Sequence, residues 1–110
     1  EDTDWVQIAA LYKILYKLLP SPVVELNQAV AVAMADGPNS AFPLLEQLER
    51  SGELNNYYLF HSARADLLRR VNRYHEAELA YARALDLCQN TTEQAFLRRR
   101  LNETRNLQGI

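Results

Sequence analysis

Apolar residues recur every three to four positions along most of the chain, and no stretch shows the strict alternation of a half-buried strand. This spacing predicts an all-α fold. The pattern is interrupted at Pro, Gly and Asn residues, which stop helices or occupy their ends. Six helices are predicted between the interruptions: an opening helix over 4–19, then helices over 22–36, 38–51, 56–71, 73–88 and 91–107.

Three of these helices are preceded by residues of the types that cap helix N-termini. Thr3 precedes the opening helix, and Ser21 precedes the second helix, which has Pro22 at its first position. Asn90 precedes the last helix, and Glu93 follows it by three residues, as in a variant of the capping box. The three caps therefore predict where these helices begin.

The opening helix carries large apolar side chains at helical spacing. They are Trp5, Ile8, Leu11, Tyr12, Leu15 and Leu19. A stripe of this kind normally faces the core, so we expect it to be buried. The connections between the predicted helices are short, so neighbouring helices are expected to form antiparallel hairpins.

The middle of the chain contains an internal repeat. A shift of about 36 residues places small residues on small ones, and large apolar residues on large or aromatic ones. The matched pairs are Ala29 with Ala65, Val32 with Leu68, Ala35 with Val71, Ala41 with Ala77, Leu45 with Tyr81, and Leu48 with Ala84. Two hairpins, over 22–51 and 56–89, therefore repeat between the opening helix and a capping helix over 91–107.

The second hairpin has a small residue in its first helix, an aromatic residue three positions before an alanine, a second aromatic residue and then Ala-Leu. These positions are Ala65, Tyr74, Ala77, Tyr81, Ala84 and Leu85. The pattern resembles a tetratricopeptide repeat (TPR), whereas the first hairpin departs from it by having Leu45 at the second aromatic position. The resemblance implies a single TPR-like domain over 1–110, with antiparallel hairpins stacked as a short right-handed array.

The composition argues against several classes of function. The net charge of −2 gives no general attraction to a phosphate backbone, and one cysteine excludes both an internal disulfide and a cysteine-rich zinc site. His61 and His75 lie on different predicted helices without the spacing of a metal motif, and Cys88 is expected to pack in the core. We therefore expect no catalytic residue, no metal, no cofactor and no small-molecule substrate. No apolar run approaches the roughly 20 residues of a membrane span, so no membrane contact is expected.

The basic residues form two clusters. Arg69 and Arg70 fall in the last turn of the fourth helix, where cations interact favourably with the helix dipole. The triplet over 98–100 spreads over about 200° of helix circumference, so it does not form one patch. A solvated face with acidic neighbours is favoured over contact with nucleic acid.

A TPR array binds its partners in a groove lined by the first helix of each hairpin, which here means 22–35 and 58–71. Polar residues stand among the apolar ones in these helices. They predict a partner-binding groove that contains Asn27, Gln28, Arg64, Asp66, Arg69 and Arg70. An internal hydrogen-bonded pair that fixes the packing of the hairpins is the open alternative, with Asn27 and Arg64 as its first candidates.

A more specific resemblance rests on segments spread over nearly the whole chain. They read TDWVQI over 3–8, PSPVVELNQAVAVA over 20–33, YY over 57–58, HSARADLLRR over 61–70 and EQAFL over 93–97. This combination resembles the C-terminal extension of a group of bacterial extracytoplasmic-function (ECF) RNA polymerase sigma factors. Two departures are Asn72, where that family often has Gly, and Gln28, where a basic residue is common.

The resemblance implies a regulatory, protein-binding domain of a transcription initiation factor in the bacterial cytoplasm. The domain would contact the sigma core or RNA polymerase, and DNA would be contacted only through promoter-binding regions upstream. The chain opens at Glu1 without an initiator Met, so we expect it to be part of a longer protein. A generic TPR adaptor or dimerisation module, not tied to transcription, is the alternative.

Overall fold

The computed structural model describes residues 3–109, and every regular element in that range is helical. The helices are α1 Trp5–Leu18, α2 Pro22–Asp36, α3 Phe42–Ser51, α4 Tyr58–Arg70, α5 Tyr74–Leu87 and α6 Thr91–Gln108. A short 3-10 helix, Pro38–Ala41, leads into α3. The predicted all-α fold is therefore confirmed.

The start of α1 differs from the prediction by one residue. Asp4, and not Thr3, is the N-cap, because its carboxylate accepts a hydrogen bond of 3.1 Å from the backbone amide of Gln7. Asp and Thr both cap helices, and here the residue nearer to the first helical turn does so. The Thr3 cap was thus wrong.

The other two predicted caps are confirmed. The Ser21 hydroxyl accepts a hydrogen bond of 3.2 Å from the amide of Val23 at the start of α2. The Asn90 side chain accepts one of 2.9 Å from the amide of Glu93 at the start of α6. Each cap satisfies a backbone donor that the helix itself leaves unpaired.

The predicted helix over 38–51 begins with a different geometry. Its first four residues, Pro38–Ala41, form the 3-10 turn, and the α-helix begins only at Phe42. Pro43 explains the change, because proline has no amide hydrogen to donate to the carbonyl four residues earlier. The chain therefore enters α3 through a tighter turn.

Contacts between residues divide the chain into two compact units. The first unit ends at Leu54 and the second begins at Asn55. In the first unit, α2 packs against α1 and against the 3-10 turn and α3. In the second unit, α5 packs against both α4 and α6. Right-handed stacking of the hairpins stays a prediction.

The 36-residue repeat reappears as a repeat in burial. In four of its six matched pairs both residues are at most 2% exposed: Ala29 with Ala65, Ala41 with Ala77, Leu45 with Tyr81, and Leu48 with Ala84. Alanines at a helix contact allow the two backbones to approach closely, and the larger side chains fill the remaining space. The repeat thus marks the core of each hairpin.

Candidate functional site

The predicted groove residues lie on two helices of different units. Asn27 is exposed and Gln28 is half-buried, and both belong to α2 in the first unit. The other four, over 64–70, belong to α4 in the second unit. Within the second unit, the structure brings Asp66 and Arg69 together.

These two side chains converge on Tyr81, which α5 places opposite them. The Tyr81 hydroxyl donates a hydrogen bond to a carboxylate oxygen of Asp66, and it accepts one of 3.2 Å from Nε of Arg69. Nη2 of Arg69 also lies 4.0 Å from Oδ1 of Asp66. Tyr81 is fully buried, so its hydroxyl depends on these two partners for its hydrogen bonds.

The burial changes the proton affinity of this group. Desolvation, and then the hydrogen bond to Asp66, raise the pKa of Tyr81 to about 12, against the opposing effect of Arg69. The hydrogen bond to Tyr81 is in turn the main reason why the pKa of Arg69 is raised. Both groups therefore keep their protons at neutral pH, and the three side chains hold α4 on α5. Two of the predicted groove residues, Asp66 and Arg69, therefore belong to an internal polar network of the second unit.

The remaining two groove candidates of α4 differ in exposure. Arg70 is exposed at the end of the helix, and Arg64 is half-buried. The positive charge of Arg64 contributes to the lowered pKa of Glu76, although the main cause is the hydrogen bond from Arg73. Two hydrogen bonds of 2.7 and 2.6 Å join Arg73 to that carboxylate.

Polar contacts also join the other elements of the second unit. Glu78 on α5 accepts hydrogen bonds from Arg105 at 2.7 Å and from Gln108 at 2.5 Å, both on α6. The bond from Arg105 is the main reason why the pKa of Glu78 is lowered. Arg83 donates to the side chain of Asn56 at 3.1 Å. These contacts lie at the surface, where each contributes little to stability.

The arginines over 98–100 do not act as one patch. The guanidinium of Arg100 lies 5.1 Å from the centre of the Phe96 ring and 3.5 Å from the carboxylate of Glu103, whereas that of Arg99 lies 6.0 Å from the same ring. Arg98 is exposed. Two of the three cations thus cover an aromatic side chain of their own helix.

Residues 3–109 contain three candidate groups for metal or nucleophilic chemistry, His61, His75 and Cys88. His61 is 2.8 Å from the carbonyl oxygen of Asn55 through Nε2, and His75 is exposed. Cys88 is 3% exposed, and its thiol donates to the carbonyl oxygen of Asn90. In this part of the chain, no three side chains of His, Cys, Asp or Glu come together as metal ligands would.

Glu25 is a buried charged residue that the sequence analysis did not single out. It lies in the first turn of α2 and is 8% exposed. Desolvation, and then the neighbouring charge of Glu53, raise its pKa. The positive end of the helix dipole offsets part of the cost of this charge. In the sequence, the position of Glu25 four residues after the Ser21 N-cap was the signal that could have drawn attention to it.

The outer face of α1 is the second feature that the sequence analysis missed. The apolar stripe was expected to be core, yet α1 contains no buried residue. Leu11 is 57% exposed and Leu15 is 36% exposed, whereas Trp5 and Tyr12 are half-buried. An open hollow of about 230 Å³ is lined by Ile8, Leu11, Tyr12 and Leu15. The signal was that α1 is apolar nearly all round, so one partner helix cannot cover it.

Among residues 3–109, no helix has the length and apolar character needed to cross a bilayer. No protein-family model matches the chain, and no solved structure does. The chain is 44% identical over 103 residues to an uncharacterised protein of Rhizobium meliloti (strain 1021). The match covers 93% of this chain but 24% of that protein, so the chain spans about a quarter of its relative's length.

Proposed function

We propose that this chain is the C-terminal regulatory domain of an ECF-type sigma factor, and that it acts by binding the sigma core or RNA polymerase. It acts in the cytoplasm and carries out no catalysis. Promoter DNA is contacted by other regions of the same polypeptide. The observation that carries this proposal is the resemblance centred on PSPVVELNQAVAVA over 20–33.

The local structure of this segment explains why its residues are specific. Ser21 caps α2, and Pro22 occupies a first-turn position, where its missing amide hydrogen costs nothing. Leu26 and Ala29 are buried, whereas Asn27 is exposed between them. The segment thus combines a fixed helix start and a packed face with polar positions that are available to a partner.

The length of the Rhizobium relative is compatible with this proposal. That protein is about four times as long as the stretch that matches this chain. It therefore has room for further domains, as a sigma factor with a C-terminal extension requires.

Binding in trans tests the proposal. The 110-residue chain is titrated against the sigma regions of its parent polypeptide, prepared without this domain, and separately against core RNA polymerase. We expect a Kd of about 1 µM or tighter with at least one of them, which corresponds to about −8 kcal/mol. Binding to neither would exclude the proposal.

A pair of charge reversals locates the contact. Arg70→Glu alters the predicted groove, and Arg98→Glu makes the same change on an exposed residue of α6 outside it. We expect Arg70→Glu to weaken binding and Arg98→Glu to leave it unchanged. Equal effects would place the contact outside the groove.

The match of the second hairpin to the TPR pattern favours an adaptor as the second candidate. Ala65, Ala77, Tyr81 and Ala84 are all fully buried, as in a hairpin built to stack on others. An adaptor would bind peptides in the groove and would belong to a polypeptide without promoter-binding regions. The coding sequence upstream distinguishes the two functions.

A further inference from the structure

We propose that the outer face of α1 is a docking surface for an amphipathic helix of a partner protein, with acidic side chains beside the apolar stripe of that helix. This surface is distinct from the predicted groove, and the inference does not rest on a role in transcription. The apolar part of the face consists of Leu11, Ile14, Leu15, Leu18 and Leu19.

Four of these side chains form two adjacent rows along the helix. Leu11 and Leu15 are four residues apart, as are Ile14 and Leu18, and Leu19 follows as the C-cap residue just beyond α1. Leu18 is 73% exposed and Leu19 is 64% exposed. Single exposed leucines are ordinary on protein surfaces, but five exposed apolar side chains along one helix and its C-cap are typical of an interaction site.

The shape of the face suits a helix. The open hollow lined by Ile8, Leu11, Tyr12 and Leu15 lies along the apolar rows, and it has room for one or two large side chains of a partner. Helices bind such surfaces through anchors at i, i+3, i+4 and i+7, which is the spacing of Leu11, Ile14, Leu15 and Leu18 on this side. Two stripes with this spacing can interdigitate.

The charges beside the face determine the class of partner. Lys13 and Lys17 form a third row, next to Ile14 and Leu18, and they are the only lysines in the chain. Residues 1–54 contain eight acidic and three basic residues, a formal charge of −5. Two of those three basic residues therefore stand along this one apolar face. A helix with acidic flanks complements them, and electrostatic complementarity selects partners at little cost in affinity.

The same charges disfavour a second copy of this face. An anionic lipid surface would be attracted by the same two lysines, so the vesicle measurement below distinguishes it from an acidic helix. In an antiparallel pair of copies, like flanks of the two α1 helices meet, so that Lys13 of one copy would lie near Lys17 of the other. Like charges at such flanking positions work against pairing.

A panel of synthetic helical peptides tests this inference. The peptides share one leucine stripe, contain no Trp, and differ only in having Glu, Gln or Lys beside the stripe. We expect the Glu peptide to bind the 110-residue chain at least about tenfold more tightly than the Lys peptide, with a preference that weakens as salt is added. Trp5, the only Trp, lies at the start of α1, so its fluorescence reports binding at this helix.

Matched variants identify the surface. Leu18→Gln should weaken binding of the Glu peptide about tenfold, whereas Leu79→Gln on α5, which is 58% exposed in the wild type, should not change it. Lys17→Glu should remove the preference for the Glu peptide over the Lys peptide. Arg50→Glu makes the same charge reversal at an exposed residue of α3 and should preserve that preference. All four positions are exposed, so the variants should fold, and circular dichroism checks this.

Four results would overturn the inference. The first two are no binding of the Glu peptide, and equal binding of the Glu and Lys peptides. The third is a loss of peptide binding on Leu79→Gln as large as that on Leu18→Gln. The fourth is that the chain binds anionic vesicles, or a second copy of itself, without any peptide, and that Leu18→Gln removes this association. Vesicle flotation and light scattering measure the last of these. Failure here leaves binding to the sigma core untouched, because the parent sigma regions are absent from this experiment.

Discussion

Tyr81 belongs both to the buried core of the second unit and to a polar network between α4 and α5. Its ring is fully buried, and its hydroxyl donates to Asp66 and accepts from Arg69. The repeat predicted an aromatic core residue at this position. It did not predict the polar partners, because the helical spacing that aligns Asp66 with Arg69 says nothing of a residue 15 positions further along the chain.

Tyr81→Phe should lower the free energy of unfolding by about 1–2 kcal/mol, because Asp66 and Arg69 lose a buried partner while the ring packing is kept. Urea denaturation measures the change. Tyr74→Phe is the matched control, since its hydroxyl bonds Asn72 at the exposed surface and its loss should cost under about 0.5 kcal/mol. A cost for Tyr81→Phe no larger than the control would show that the network adds nothing.

The raised pKa of Tyr81 predicts a loss of stability at high pH. Its value of about 12 in the folded protein lies above the ordinary 10.0, so the stabilisation is fully present below pH 10 and is lost as the pH rises through about 12. One such group changes the free energy of unfolding by at most about 1.4 kcal/mol per pH unit. The stability advantage of wild type over Tyr81→Phe should therefore shrink across this window. An advantage that stays constant from pH 9 to about 12 would contradict the assignment.

Asn72 is the single residue other than glycine with a positive φ, 65°, in the described part of the chain. It ends the α4 region in a left-handed conformation that Asn tolerates better than most residues. Asn72→Gly should be neutral or stabilise by up to about 1 kcal/mol, whereas Asn72→Ala should destabilise by about 1 kcal/mol. Thermal melts of both variants decide this, and a more stable Ala variant would refute the argument.

At the scale of elements, the sequence predicted the helices well and their starts less well. Periodicity and caps located all six, because both signals are local. Thr3 and the start of α3 were misassigned for different reasons. Thr3 and Asp4 are both of a type that caps helices, so the sequence alone did not decide between them. Pro43 affects the backbone geometry of the residues before it, and α3 therefore begins later than predicted.

Helix α1 should be the least protected element, since it contains no buried residue and packs mainly against α2 within its unit. Local opening requires less free energy where few apolar side chains are buried. Native-state hydrogen exchange should show the α1 amides exchanging faster than those of α2, by about tenfold or more. The Glu peptide described above should slow exchange in α1. Protection of α1 equal to that of α2 in the free chain would mean that an unrecognised contact covers it.

At the scale of the whole molecule, formal charge separates the two units. Residues 1–54 carry −5, and residues 55–110, with six acidic residues and nine arginines, carry +3. The net charge of −2 conceals this difference, so a judgement from overall composition misses it. An apolar stripe looks the same in a sequence whether or not another element covers it, so the only signal for the exposed α1 face was that its apolar residues extend nearly all round the helix.

The central claim is that this domain regulates transcription initiation through protein contacts. Transcription reconstituted with core polymerase and the parent sigma factor, with and without the domain, tests it most directly. On a genomic template whose transcripts are sequenced, the account predicts that removing the domain changes the yield of sigma-dependent transcripts at least about threefold, equivalent to about 0.7 kcal/mol. Adding the separate 110-residue chain should partly restore the original yield. Equal yields with and without the domain, or the absence of any sigma-dependent transcript from either protein, would contradict it.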